Sequence, residues 1–159
     1  TPVLGNMAFA RLAAGLEFTC GITVEGPTYC WGANEAGQLG NPDAGEYSAV
    51  PVEVAGGHAF TKLSLGQDHA CALTADGTAY CWGSSDYGKL GVDRGEPAAE
   101  PVQVSGELTF RDITAASFHT CGIATDGYTY CWGNNLHGEL GDSGQFAGAT
   151  PRRVAAPWL

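Results

Sequence analysis

Positive charge is scarce in this chain. Only 7 of its 159 residues are Lys or Arg, against 17 Asp or Glu, for a formal charge of −10. Nucleic-acid phosphates demand a basic patch, so this balance speaks against DNA or RNA as a partner. It speaks equally against docking on an anionic membrane. No apolar run approaches the roughly 20 residues of a membrane-crossing helix, which argues against membrane insertion. Long stretches of helical periodicity are missing. Gly-x-Ser-x-Gly, a Walker-type phosphate loop and His-Glu-x-x-His are all absent. No nucleophile stands out with a base beside it. The expectation is therefore a non-enzyme, with no catalytic, cofactor or metal residues assigned. The chain does not begin with Met and shows no signal peptide. A removed presequence and a cut from a longer protein both account for that.

What the chain does have is a phrase written three times. His69-Ala-Cys-Ala-Leu-Thr-Ala-Asp-Gly-Thr-Ala-Tyr-Cys-Trp-Gly83 is flanked by near copies at Phe18–Gly32 and His119–Gly133. Each copy has β-branched and aromatic residues on both sides of a turn, Asp-Gly in two copies and Glu-Gly in the first, which is a hairpin signal. A three-residue loop Ala75-Asp76-Gly77, with Gly77 in a left-handed bulge, sets the register. Thr74 then faces Thr78, and Cys71 faces Cys81. The same count sets Cys20 opposite Cys30 and Cys121 opposite Cys131. Facing residues on antiparallel strands lie roughly 4.5–5.5 Å apart at Cα, within disulfide reach. A slip of one residue would send one cysteine of each pair to the other face.

Six cysteines permit fifteen pairings, and the repeat favours the three local ones. Zinc usually wants closer cysteine spacing and four ligands per site. Six buried free thiols would make the threefold register a coincidence. Each bridge closes a short loop and contributes at most ~3 kcal/mol. Paired cysteines imply an oxidising compartment, hence a periplasm, a cell surface or the medium.

The phrase sits in a longer unit with a period of 50–51 residues. Such a period indicates a propeller or solenoid. Glycine is frequent, at 24 residues, as many tight turns require. The units read as about 2–50, 51–100 and 101–150, each opening on a Pro-Val strand. Those strands are Pro2-Val3-Leu4, Pro51 to Val54 and Pro101 to Val104, with residues 151–159 as the start of a fourth. Proline suits the first residue of a strand. A strand with Phe9 and Leu12, Phe60 and Leu63, or Phe110 and Ile113 follows, then the stapled hairpin. A polar loop closes each unit. It begins Asn34-Glu-Ala-Gly-Gln-Leu-Gly40, Ser85-Asp-Tyr-Gly-Lys-Leu-Gly91 or Asn135-Leu-His-Gly-Glu-Leu-Gly141. Its glycines are expected at positive φ, and Leu39, Leu90 and Leu140 are expected to plug the core between units.

Four strands per unit is the count of a propeller blade. Cys-Trp-Gly-x-Asn-x-x-Gly-Gln-Leu-Gly, preceded by Gly-x-x-His-x-Cys-Ala-Leu-Thr-x-Asp-Gly, resembles the repeat of the regulator-of-chromosome-condensation family. The resemblance covers essentially the whole chain. It implies an all-β array of three four-stranded antiparallel blades, and family rings typically have seven. The paired cysteines look like the variant common in exported bacterial members. Phe18 departs from His69 and His119, and Ser85 departs from Asn34 and Asn135. Seven blades of about 50 residues need roughly 350. Three blades leave open faces and strand edges. The chain is thus expected to be a piece of a larger propeller, or to associate with copies of itself as a ring or a helical fibre.

His69 and His119 are expected to be structural, and His58 and His137 to be solvated. Trp31, Trp82 and Trp132 read as core rather than as sugar-stacking platforms. Asp43, Glu46, Asp86, Asp93, Glu96 and Asp142 read as solvated loop charge, since no calcium-loop string is present. The divergent loops carry the candidate interaction residues Tyr47, Tyr87, Asp93 and Phe146, with Trp158 near the end. The reading is a disulfide-stapled binding or assembly module outside the cytoplasm, with copies of itself or another protein as partner. A guanine-nucleotide-exchange regulator of a small GTPase and a lectin-like propeller remain as alternatives.

Overall fold

The computed structural model describes Val3 and residues 6–155. Among the described residues, twelve strands form three separate antiparallel sheets. The first contains β1 (Phe9–Ala14), β2 (Phe18–Thr23), β3 (Thr28–Ala33) and β4 (Tyr47–Glu53). The second contains β5 (Phe60–Leu65), β6 (His69–Thr74), β7 (Ala79–Gly83) and β8 (Ala98–Gln103). The third contains β9 (Phe110–Ala115), β10 (His119–Ala124), β11 (Thr129–Gly133) and β12 (Gly148–Arg153). Strands follow one another in order across each sheet. β5 packs against β1 on one side and β9 on the other, so these three are the inner strands of adjacent blades.

The hairpin register is the one the sequence specifies. Thr74 N–H donates to Thr78 O at 3.0 Å, Gly77 N–H donates to Thr74 O at 3.0 Å, and Gly77 has φ 87°. Counting inward, Cys71 faces Cys81, and the other two cysteine pairs face in the same way. All three are disulfides, with Cα atoms 4.1, 4.1 and 4.0 Å apart. That is closer than the average facing pair. Thr74 and Thr78 are a hydrogen-bonded pair, so alternation makes Cys71 and Cys81 a non-hydrogen-bonded one, the closer class.

The Pro-Val strands require a correction. They close the preceding sheet rather than open the next unit. Val52 pairs with Cys30, Val102 with Cys81 and Arg152 with Cys131. Pro151 to Arg153 therefore belong to β12 and complete the third blade; they are not the start of a fourth. Nor does proline begin these strands. Each proline lies in a register shift, the three-residue stretch opposite the Trp of the neighbouring strand. A bulge on an edge strand accommodates a residue without an N–H. Of the first copy, Pro2 and Leu4 lie outside the described residues.

Each outer loop returns to the core through its leucine: Leu39, Leu90 and Leu140 are fully buried. Gly37, Gly40, Gly88, Gly91, Gly138 and Gly141 all have positive φ. Asn34 Oδ1 accepts from Leu39 N–H at 2.9 Å, and Asn135 Oδ1 accepts from Leu140 N–H at 2.9 Å. Ser85 is too short for this bond. The second loop instead makes a 3-10 turn over Asp86–Gly88, with Tyr87 at φ 60°.

Candidate interaction surface: the open blade faces

Alternation along a strand gives each blade a leading face toward the next blade and a trailing face toward the previous one. On the hairpin's first strand, Phe18, Cys20 and Ile22 lead, as do His69, Cys71 and Leu73, and His119, Cys121 and Ile123. Each Trp trails. At the interface of blades two and three, His69 Nε2 lies 2.9 Å from Thr120 Oγ1. Thr120 donates its single hydroxyl hydrogen to Lys89 O at 3.0 Å, so His69 must donate from Nε2. Trp132 Nε1–H donates to the same Lys89 carbonyl at 3.0 Å, and Trp82 Nε1–H donates to Gln38 O at 3.0 Å. The Trp on the trailing face of blades two and three is thus hydrogen-bonded to the leucine loop of the blade before it. Ala115 N–H donates to Ser64 Oγ at 2.8 Å, and Lys62 Nζ pairs with Asp112 at 3.0 Å.

This geometry decides the histidines. His69 is buried, and its remaining nitrogen, Nδ1, has no partner. Burial, and then the nearby Lys89 ammonium and His119, push its pKa down to about 3. It is a neutral packing element, as expected. His137 is exposed, also as expected. His58 is not simply solvated: its ring lies 4.2 Å from that of Tyr80 and 5.4 Å from that of Phe60.

Sequence reasoning missed Lys89. It stands where the other loops carry Gln38 and Glu139, yet its side chain is fully buried and its Nζ lies 2.6 Å from Asp68 Oδ1. The signal was an unlike charge at equivalent loop positions, Lys89 in place of Gln38 or Glu139. Its partner Asp68 lies immediately before the hairpin histidine.

The expected loop residues are displayed but not assembled. Tyr47 and Phe146 are 74% and 82% exposed; Tyr87 and Asp93 are exposed as well. Tyr87 lies edge-on to Phe118 at 5.7 Å. Among the described residues no aromatic pairing joins Tyr47, Tyr87 and Phe146. The Phe146 loop is clamped by Arg152, whose Nη1 donates to Phe146 O at 3.2 Å and pairs with Asp142 at 3.0 Å. The Gly144 N–H and then Arg152 hold the Asp142 carboxyl below its usual range. Asp142 is thus occupied rather than simply solvated. Trp158 lies outside the described residues. No group of three or more His, Cys, Asp or Glu among the described residues could hold a metal ion.

The outward faces of the first and third blades are less covered than the faces between blades. Phe18, Cys20 and Ile22 are 3%, 0% and 5% exposed under the second blade. The matching His119, Cys121 and Ile123 on the third blade's leading face are only half-buried. Cys121 and Ile123 border an open apolar hollow with Thr114 and Thr129. On the trailing side, Trp82 and Trp132 are fully buried, whereas Trp31 is half-exposed and Leu12 is 62% exposed.

The repeat is shared with known proteins. The regulator of chromosome condensation (RCC1) repeat profile matches residues 25–73 and 76–123, more than half of the chain. A second RCC1 repeat profile matches 60–89 and 110–139. The chain belongs to the RCC1 repeat family. Its three sheets are blades of an RCC1-type β-propeller. They superpose on yeast RCC1 (Prp20), solved bound to Kap60, with a TM-score of 0.86 at 20% identity, covering 93% of this chain and 37% of that one. Human WBSCR16 gives 0.83 at 22% identity, covering 97% and 41%. The ectodomain of the receptor kinase CR4 from Physcomitrella patens gives 0.58 at 27% identity, covering 86% and 33%. In sequence, the ultraviolet-B receptor UVR8 of Arabidopsis thaliana is 35% identical over 91 residues, 56% of this chain and 20% of the receptor. This RCC1-repeat chain therefore spans a fifth or less of the first curated relatives and about two fifths of the solved propellers. RCC1 repeats 25–73 and 76–123 each run from one blade's hairpin into the next blade, so repeat and blade are out of phase.

Proposed function

We propose that this chain is part of a non-enzymatic, extracytoplasmic propeller scaffold for protein–protein interaction. The observation that carries the reading is a disulfide-stapled frame that displays Tyr47, Tyr87 and Phe146, all exposed, on divergent outer loops. Variable loops on a rigid repeated frame are where recognition sits. Three disulfides support an oxidising setting. The similarity to a receptor-kinase ectodomain supports the same setting. No observation favours the nucleotide-exchange or lectin alternatives.

Two measurements test this. Thiol labelling of unreduced protein from its native source should find no free cysteine; six reactive thiols would overturn the extracytoplasmic setting. Oxidative side-chain footprinting should show Tyr47 and Phe146 protected in the native extract and reactive in dilute purified protein. Equal reactivity in both would overturn the binding role of the loops.

A further inference from the structure

One pair of exposed aromatic rings falls outside the repeat. Tyr87, on the outer loop of blade two, lies 5.7 Å from Phe118, on the β9–β10 turn of blade three, with the ring planes at 67°. The two residues are 49% and 38% exposed. At the boundary between blades one and two the same positions hold Ala36 and Asp68. Residues that serve the frame recur in every blade, as the paired cysteines and the loop leucines do. The Tyr87–Phe118 pair occurs once, so the frame does not require it. Blade two has a neighbour on each side, so Tyr87 stays exposed with both neighbours in place.

We propose that this aromatic corner docks a basic polypeptide segment, with an arginine side chain stacked on the rings. This rests on the loop-recognition reading above and names the chemistry of the partner. Charge points to it first. The outer loops, residues 34–46, 84–97 and 134–147, hold many more Asp and Glu than Lys and Arg. Their cations are Lys89 and Arg94 alone, and Lys89 is buried against Asp68. Asp86, next to Tyr87, is exposed. Among the described residues its carboxylate has no hydrogen-bond or ion-pair partner. An acidic surface steers cationic partners toward it and turns anionic ones away.

The rings then narrow the choice of cation. Aromatic faces attract cations, and the planar guanidinium of arginine stacks on them where a hydrated ammonium does not. Phe118 already serves one cation, since the buried Lys89 Nζ lies 5.5 Å from its ring centroid. Asp68 neutralises that ammonium, so it does not repel a second cation on the exposed side. The backbone supplies a means of separating docking from folding. Tyr87 has φ 60°, whereas neither Ala36 nor His137 has positive φ. Glycine adopts that region freely and a bulky residue does not. Tyr87→Gly therefore removes the ring while suiting the backbone, and should leave the melting temperature unchanged or raise it.

The probe is a fluorescein-labelled peptide of alternating arginine and serine, titrated with the chain and followed by anisotropy. Peptides with lysine or glutamate in place of arginine are the comparisons. The arginine peptide should bind more tightly than the lysine peptide and weaken as salt is raised, and the glutamate peptide should not bind. Tyr87→Gly and Phe118→Ser should each weaken arginine-peptide binding about two- to fivefold. Tyr47→Ala and Phe146→Ala, which remove exposed aromatics outside the pair, should leave it unchanged. Failure of the arginine peptide to bind the parent chain overturns the proposal. Equal affinity for the parent and Tyr87→Gly, or for the arginine and lysine peptides, also overturns it, because charge alone would then account for binding. If Tyr47 and Phe146 are protected in the native extract and the peptide results fail, the partner has another chemistry. The arginine-docking proposal then falls while the loop reading stands.

Discussion

The interface between blades two and three and the open face of blade three carry nearly the same side chains in different surroundings. His69, Cys71 and Leu73 are buried under a neighbour; His119, Cys121 and Ile123 are not. The difference shows where the stability of a blade array resides. A single four-stranded sheet has two apolar faces and can bury neither alone, so each interior contact supports two blades at once. Substitutions at matched positions should therefore have unequal effects, depending only on whether a neighbour is present.

The largest inequality is expected at tryptophan. Trp82→Ala removes a buried indole and its bond to Gln38 O, and should cost about 3–5 kcal/mol in denaturant unfolding. Trp31→Ala, on the half-exposed trailing face, should cost less than half as much in the isolated chain. Equal losses would mean that the first face is covered in solution. Separating a staple from its surroundings is the next test. Replacing Cys71 and Cys81 together with alanine should cost about 3 kcal/mol by loop-closure entropy, lowering the melting temperature without changing the strand order.

Acid should act on one interface and spare the other. His69 has its pKa lowered in the fold from 6.5 to about 3. Between these values the unfolded chain binds a proton that the folded chain does not, so stability falls as pH falls through that window. The slope approaches about 1.4 kcal/mol per pH unit once pH is well below the unfolded value. The groups facing the ring are Lys89, which pairs with Asp68, and His119. The double variant His69→Phe with Thr120→Ala reproduces the pair found between blades one and two. It should flatten the pH profile of the melting temperature; an unchanged slope would place the proton elsewhere.

Smaller effects belong to the loops and the surface. Asn135→Ser should cost about 1 kcal/mol, because Leu140 N–H loses its acceptor, and should leave the third loop resembling the second. Asp112→Asn breaks an ion pair whose side chains are 43% and 59% exposed, so less than about 1 kcal/mol should be lost in the melt.

Much of this architecture was readable in the letters. The cysteine spacing fixed the hairpin register because a one-residue slip would have separated the sulfurs. The leucines and positive-φ glycines followed from threefold repetition. The phase of the Pro-Val strands was not readable. Proline's preference for strand starts pointed to residue 51 as a boundary, whereas a bulge opposite Trp31 admits it inside β4. Lys89 was also invisible, since a lysine in a polar loop ordinarily points to water and its partner lies 21 residues away. The two end faces could be deduced from the blade count.

Electron microscopy of the particle isolated from its source addresses the account most directly. The account predicts another four-stranded sheet lying over Ile123 and another against Leu12. A free three-bladed particle with both faces bare would contradict it.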